Sequence, residues 1–237
     1  MGRIWAIAKK ELSGYLNSPA GYIFLSVFLV FSSWIYWRTV FLVGEVSFRS
    51  FFNYIPWIFL FLIPAISMKL WSEEKKLGTM EVLLTWPIRD WEAILGKFFG
   101  SLGFLILALA GTLISPLALS YLGSPDWGMI FSGYMASLLL AASYLAIGMW
   151  ASALSRNQIV AFIMGVLFIF MLLLAGSEMF LYFVPVFLTP ILSYLSLGTH
   201  FDSIAKGVID SRDVLYYFSV IFFFLYLNKY LLSLRKN

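Results

Sequence analysis

The charged residues that could contact another molecule are concentrated in residues 69–97, a stretch that separates two long apolar runs. Within it, Gly78-Thr79 combines a helix stop with an N-cap, and Pro87 ends the following segment, so Met80 to Thr85 is predicted to form a short helix. Its apolar side chains cannot all be buried in so short an element, so they need either the membrane surface or a groove on a partner protein. The candidate contact residues are Glu73, Glu74, Lys75, Lys76, Gly78, Thr79, Met80, Glu81, Leu83 and Leu84.

Residue types that catalyse reactions or hold metals are nearly absent from the chain. There is no cysteine, which excludes disulfides, thiol catalysis and cysteine-based zinc sites, and His200 is the single histidine. The sequence contains no Gly-x-x-x-x-Gly-Lys-Ser/Thr run and no His-Glu-x-x-His motif, so it lacks the signatures of a P-loop and of a zinc protease. We therefore predict no enzyme activity, no catalytic residue, no metal site and no bound cofactor.

The composition indicates a protein embedded in a membrane. Of the 237 residues, 62% are hydrophobic and 12% are charged, and the mean hydropathy is +0.90, whereas a soluble domain is about half apolar and a quarter charged. A soluble enzyme and a nucleic-acid-binding protein are excluded. Continuous rather than alternating apolar runs predict one all-α domain, residues 1–237, with six transmembrane helices at residues 20–43, 51–68, 98–122, 129–154, 159–184 and 214–232.

The distribution of basic residues predicts the orientation in the membrane. Twelve of the sixteen lysines and arginines flank one set of helix ends, and the other four flank the opposite set. By the positive-inside rule both termini are expected in the cytoplasm, and the chain is expected to be a multi-pass protein of the bacterial inner membrane. Residues 69–97 then form the longest cytoplasmic loop, and residues 185–213 form an amphipathic outer segment.

Residues 1–19 are predicted to form an amphipathic helix that lies in the cytoplasmic interface of the membrane. One half of this helix is apolar and includes Trp5, while Lys9 and Lys10 lie on the other half. Glu11 falls inside the apolar arc, where an unpaired carboxylate would be costly. The helix is interpreted either as a membrane anchor or as an anchor that also contacts a cytoplasmic partner.

The outer side of the chain carries two further predictions. Residues 185–213 either cover the bundle as a lid or act as an outer gate or a dock for an extracytoplasmic partner. Within them, His200 is interpreted as an interfacial polar residue, with a ligand role as the alternative. Arg38 and Glu178 are expected at similar depth on the first and fifth spans, which predicts that they pair, unless each side chain snorkels alone or Glu178 contacts substrate.

Two segments of the chain resemble a known family of membrane proteins. The run from Glu74 to Pro87, followed by Gly96-Lys97, closely resembles the first cytoplasmic loop of ABC-2 type permeases, the membrane subunits of one class of ATP-binding-cassette exporter. Lys9-Lys10-Glu11-Leu12, followed by Asn17-Ser18-Pro19, is similar to the N-terminal elbow helix of that family. The segments occur in the family's order, and the resemblance covers essentially the whole chain.

A third segment, near the C-terminus, indicates a branch of the family. His200-Phe201, Ile204 to Asp210 and Arg212-Asp213 are similar to the gliding-motility permeases, which are related to the permeases of copper-site assembly in nitrous oxide reductase systems.

The resemblance implies a six-helix, type V-like ABC-2 exporter fold and a half-size transporter. Two permease subunits, identical or different, would pair, and each would meet a separate ABC ATPase that binds the ATP and Mg²⁺. By residue match, Glu74 to Leu84 would supply the main coupling helix, and Arg156 in the turn 155–158 would supply a smaller contact. An auxiliary membrane protein with a large outer domain is a further expected partner. The permease would couple ATP hydrolysis to export.

Two other functions are rivals of ATP-driven export, and the sequence argues against the first of them. A secondary transporter would need ionisable residues near mid-membrane, and none lies at the centre of a predicted span. A non-transporting anchor, which transmits force in a motility or envelope-assembly complex, would share every feature described above. If the chain transports a substrate, its apolar interior suits lipids, lipid-linked molecules or a polypeptide segment better than a small ion.

Overall fold

The structure, a computed structural model, describes residues 2–44, 47–79 and 89–234, and this part of the chain is helical and contains no strand. In chain order the helices are α1 (Gly2–Leu16), α2 (Pro19–Val43), α3 (Arg49–Ser67), α4 (Lys69–Leu77), α5 (Asp90–Gly111), α6 (Ile114–Leu119), α7 (Trp127–Leu154), α8 (Gln158–Leu174), α9 (Glu178–Leu181), α10 (Thr189–Leu195), α11 (Leu197–Ala205) and α12 (Ser211–Ser233).

Within the described residues, five helical stretches are long and apolar enough to cross a membrane, and α8 is a shorter apolar helix of 17 residues. At 1.5 Å per residue, α8 is about 25 Å long, somewhat less than the ~30 Å hydrocarbon core of a bilayer. The all-α membrane fold with an N-terminal helix is confirmed. The five long stretches are Pro19–Val43, Arg49–Leu77, Asp90–Leu119, Trp127–Leu154 and Ser211–Ser233.

The predicted fifth span, residues 159–184, extends too far at its C-terminal end. The helix α8 stops at Leu174, and Ser177 caps the four-residue helix α9 by accepting a hydrogen bond from the Phe180 N–H. Gly176 lies in the turn between them, where an added Cβ would be 2.5 Å from Thr199 Cγ2 and 2.7 Å from Ser196 Cβ. The close approach of α11 therefore requires a glycine at this turn. The turn could not be predicted from the sequence, because it lies within a continuous apolar run.

The predicted loop 69–97 is also corrected, because most of its described part is helical. The chain continues from α3 into α4 after a break at Met68, and α5 already begins at Asp90. Pro56 and Pro64 lie inside α3. At the break, Ser152 Oγ donates to the Met68 carbonyl at 2.6 Å and accepts from the backbone N–H of Trp71 at 3.1 Å. Gly78 ends α4 with φ of 71°, which confirms the predicted helix stop.

The helix α7 forms the centre of the bundle and packs against α3, α4, α5, α8, α11 and α12. Small residues on α7 make this possible. An added Cβ at Gly133 would lie 2.2 Å from the ring of Phe52 on α3, and Ser137 and Ala141 are fully buried. The close approach at Gly133 is made by α3.

The N-terminal helix α1 lies along α5 in close contact. An added Cβ at Gly96 would be 2.6 Å from Ile7 Cβ, and one at Gly100 would be 2.7 Å from the Ala8 carbonyl oxygen. At Gly103 the nearest atoms belong to Leu12 and are 3.7 Å away, an ordinary contact. Gly96 and Gly100 therefore allow α1 to lie closely against α5.

These three glycines supply a matched test of the α1–α5 contact. Gly100→Ala should lower the melting temperature of the purified protein in detergent, because the new methyl group displaces the α1 backbone. Gly103→Ala should leave it unchanged or raise it, since alanine favours the helix by up to about 1 kcal/mol over glycine and meets no obstacle here. Equal melting temperatures for the two variants would contradict the close packing of α1 on α5.

Candidate functional site

A buried lysine joins three helices at the end of the bundle where α1 lies. Lys97, on α5, is only 5% exposed, and its Nζ donates a hydrogen bond of 2.9 Å to the Leu70 carbonyl oxygen on α4. The same Nζ lies 2.7 Å from Glu74 Oε1 on α4 and 3.9 Å from Glu11 Oε2 on α1. We call these contacts of Lys97 with Leu70, Glu74 and Glu11 the Lys97 joint.

The Lys97 joint satisfies a buried charge with acceptors from separate helices. An ammonium group has three N–H donors and no acceptor, so it must be surrounded by oxygens once it leaves water. A backbone carbonyl and a close carboxylate supply two of these, and the ring of Trp71, 5.0 Å from Nζ, adds a cation–π contact. Glu74 Oε2 is buried and has no hydrogen-bond partner among the described residues, so Glu74 has an acceptor to spare.

A second set of contacts ties α4 to α7. Ser152 of α7 bonds to the backbone on both sides of the α3–α4 break, as described above. Lys75 of α4 is buried, and its Nζ donates to the Ala153 carbonyl oxygen near the end of α7. The start of α5 and the end of α7 are therefore linked through the short helix α4.

Further contacts fix α1 around the Lys97 joint. Arg3 Nη1 lies 3.8 Å from Glu92 Oε2, and Glu92 also caps the start of α5 by accepting from the Arg89 N–H at 2.9 Å. Tyr15 donates its hydroxyl hydrogen to the Ile66 carbonyl at 3.0 Å, and Lys69 Nζ lies 4.2 Å from the Tyr15 ring centroid. Burial, reinforced by the nearby Glu11, raises the pKa of Tyr15, so its phenol stays a neutral donor.

The predicted contact residues separate into three groups. Glu11, Glu74 and Lys75 lie in the buried contacts described above. A second group is exposed on the surface and consists of Trp5, Lys9, Lys10, Glu73, Lys76, Gly78, Thr79 and Arg156. Met80, Glu81, Leu83 and Leu84, with the predicted helix Met80 to Thr85, lie outside the described residues.

Sequence reasoning counted Lys97 only as a basic flank and as part of a family motif, and it overlooked Ser152. The signal for Lys97 was present, because Glu11 stands in the apolar arc of α1 and a carboxylate there requires a cation from another element. Ser152 gave no comparable signal, since serine is common in close-packed membrane helices. Its role depends on the break at Met68, which the sequence placed only as the end of a span.

The predicted pair of Arg38 and Glu178 is wrong. Neither residue forms one of the ion pairs found among residues 2–44, 47–79 and 89–234. The guanidinium of Arg38 lies 5.6 Å from the ring centroid of Trp34 on its own helix. Glu178 is exposed in the first turn of α9, because α8 ends before reaching it. Both side chains therefore act singly.

The described ranges contain no group of three or more histidine or acidic residues that could hold a metal ion. His200, interpreted from the sequence as an interfacial polar residue, is instead buried, with 7% of its surface exposed. Its partners are Asp213 of α12 and the Tyr194 carbonyl of α10. The chemistry available at both ends of the bundle is that of charge pairing and hydrogen bonding between helices.

Comparisons with known proteins define the class. A family model described as "ABC-2 family transporter protein" matches residues 5–232. A probable ABC transporter permease protein NosY from Stutzerimonas stutzeri is 30% identical over 189 residues, which cover 73% of this chain and 68% of that protein. A protein with the same description from Pseudomonas aeruginosa is 28% identical over 193 residues, covering 72% and 67%.

The chain therefore belongs to the ABC-2 family of transporter proteins. It is a permease subunit, the multi-pass membrane component of an ABC transporter, related to the NosY permeases. The resemblance that residues 74–87 predicted is confirmed.

The Lys97 joint makes a prediction about stability. Lys97→Met keeps the length of the side chain but leaves Glu74 and Glu11 without their cation, and breaking a buried ion pair in this way costs about 3 kcal/mol. The melting temperature in detergent should fall well below that of Lys10→Met, which removes an exposed lysine from the neighbouring helix. Adding Glu74→Gln to Lys97→Met should recover part of the loss, because it removes the unpaired charge. The joint has no structural role if Lys97→Met and Lys10→Met melt alike.

Proposed function

We propose that this permease couples ATP hydrolysis by separate ABC ATPase subunits to export, and that the Lys97 joint transmits the movement. The proposal places the joint, α1 and both termini on the cytoplasmic side of a bacterial inner membrane, in agreement with the distribution of basic residues. Two permease subunits, identical or different, would assemble with two ATPases, which bind the ATP and Mg²⁺.

The observation that carries the proposal is that Lys97 joins α4 and α5, the two helices between which residues 80–88 lie in the sequence. The chain leaves α4 at Gly78 and enters α5 at Asp90, so an ATPase that moves residues 80–88 acts on these two helices. Lys97 fixes α4 and α5 to each other through Leu70 and Glu74, and it adds α1 through Glu11. Displacement of residues 80–88 would therefore move the three helices together instead of bending one of them.

The same contacts provide a route into the bundle. Lys75 and Ser152 connect α4 to the end of α7, and α7 packs against most of the other spans. A movement of α4 would therefore reach the central helix directly. In this mechanism residues 80–88 dock on the ATPase, the Lys97 joint converts docking into movement of a unit, and α7 carries that movement across the membrane.

A second candidate function uses the same machinery without a transported substrate. The central helix α7 is the most buried of the five long stretches, so a single subunit has a filled core around it. Such a bundle also suits a subunit that passes force from an ATPase to an outer partner in a motility or envelope-assembly complex.

The decisive experiment separates docking from transmission. The permease is purified with the ATPase that accompanies it from its native membranes, and ATP turnover is measured in proteoliposomes for the wild type, Lys97→Met, Glu81→Lys and Lys10→Met. Glu81→Lys should reduce the amount of ATPase recovered, because a reversed charge at a docked interface adds repulsion. Lys97→Met should recover the ATPase normally but lose the change in its turnover that the wild-type permease causes. Lys10→Met should behave as the wild type.

Other outcomes discriminate between the alternatives. Normal coupling in Lys97→Met would refute the role of the joint. If all the variants recover the ATPase and change its turnover as the wild type does, residues 74–84 only rest on the membrane surface. Release of a fluorescent lipid or peptide from wild-type proteoliposomes would support export, whereas ATP turnover that depends on Lys97 without any release would favour force transmission.

A further inference from the structure

The lone histidine of the chain lies in a buried contact at the end of the bundle opposite Lys97. His200 Nδ1, on α11, lies 2.7 Å from Asp213 Oδ1 on α12, and Nε2 lies 2.9 Å from the Tyr194 carbonyl oxygen on α10. The imidazole is stacked on the ring of Tyr216, with 3.9 Å between centroids and 21° between planes. We call these contacts with Asp213, Tyr194 and Tyr216 the His200 clasp.

The two hydrogen bonds of His200 require a bound proton. A backbone carbonyl can only accept, so Nε2 must carry a hydrogen to bond to Tyr194. The short contact between Nδ1 and Asp213 also needs a hydrogen, either on the imidazole or on the carboxyl group. A neutral imidazole facing an ionised carboxylate has one hydrogen too few for both bonds, so the intact clasp holds one more proton. Stacking on Tyr216 favours a charged imidazolium.

Loss of that proton must break one of the two contacts. If the remaining hydrogen is on Nε2, the lone pair of Nδ1 faces the carboxylate of Asp213 and repels it. If the hydrogen moves to Nδ1, the lone pair of Nε2 faces the carbonyl of Tyr194. Neither neutral tautomer satisfies both partners, so the clasp is complete at low pH and weakens as the pH rises through the release of the proton.

Other groups near the clasp form contacts that do not need this proton. The hydroxyl of Tyr216 donates to the Leu195 carbonyl at 2.5 Å, and that of Tyr217 donates to the Leu197 carbonyl at 2.8 Å. The neighbouring charged group on α11 is Asp202, and its electrostatic partners are Lys206 on the same helix and Arg49 on α3; burial raises the pKa of Asp202. The hydroxyl of Tyr144 on α7 is buried and has no hydrogen-bond partner among the described residues.

We infer that the His200 clasp is a proton-operated latch that holds α10 and α11 against α12. Acidification closes it, and a rise in pH releases α11 from the start of the last span. The helix α11 also forms one wall of a cleft of about 170 Å³ between α3 and the end of α8, lined by Asn53, Trp57 and Asp202 among others, so release changes the shape of this cleft. The inference does not depend on coupling to an ATPase.

The absence of native cysteine allows a direct test on the full-length protein in nanodiscs. Ala205→Cys places one thiol at the buried end of α11, where the residue is 7% exposed, and Lys206→Cys places one at the exposed neighbouring position. The ratio of their maleimide labelling rates corrects for the effect of pH on an ordinary exposed thiol, and the same ratio in the Asp213→Asn variant corrects for the raised pKa of a buried one. This ratio should rise about tenfold between roughly pH 6 and roughly pH 9, a range that spans the ordinary titration of histidine.

Variants of the two partners sharpen the test. The amide of Asp213→Asn can donate to Nδ1 of a neutral imidazole while Nε2 still donates to Tyr194, so the clasp should stay closed and the ratio should stay low at both pH values. His200→Phe keeps the stacking on Tyr216 but loses both hydrogen bonds, so the ratio should be high at both. A ratio in the wild type that does not change with pH would overturn the latch.

Nitrogen NMR of the protein labelled with ¹⁵N-histidine, purified without a histidine tag, tests the proton directly, since every imidazole signal comes from His200. At roughly pH 6 both ring nitrogens should carry hydrogen-bonded protons in the wild type, or one nitrogen should if the proton resides on Asp213. In that second case, Asp213→Asn should change the Nδ1 signal and leave Nε2 protonated. An imidazole with an unbonded Nδ1 at this pH would overturn the assignment of the extra proton.

Discussion

An ammonium group taken out of water must be surrounded by acceptors, and no single helix can supply them around Lys97. The Leu70 carbonyl and, one turn later, the Glu74 carboxylate both belong to α4. Glu11 belongs to α1, which approaches closely enough only because Gly100 lacks a side chain. The positions of α1, α4 and α5 therefore depend on one another, and the charge of Lys97 is the constraint that they share.

The opposite end of the bundle uses the same physics with a weaker cation. His200 is also buried, and it also needs acceptors from two other helices, but imidazole is a weaker base than an amine. In our two proposals, Lys97 forms a fixed connection that transmits movement, whereas His200 forms a connection that the loss of a proton releases. Both connections are built on pairs with carboxylates.

The sequence predicted features that depend on residue type and periodicity, and it missed those that depend on where helices meet. Continuous apolar runs identified the long spans, and Gly78 identified the end of α4. The turn at Gly176 was missed because it interrupts an uncharged run, and its cause is contact with α11, far along the chain. The Arg38–Glu178 pair failed for the same reason, since depth was inferred from a span that ends early. Glu11 was recognised as misplaced on an apolar face, but only the fold shows that Lys97 lies opposite it.

The most direct test of the central claim is a distance measurement between α1 and α4 in the working complex. With no native cysteine present, spin labels can be attached at Lys9→Cys and Lys76→Cys in one permease subunit and measured by pulsed electron paramagnetic resonance, with and without ATP. If the Lys97 joint makes these helices one unit, the distance distribution will be narrow and identical in both nucleotide states, and it will broaden in Lys97→Met. A distance that changes with ATP while Lys97 is present, or one that Lys97→Met leaves unaltered, would contradict the account.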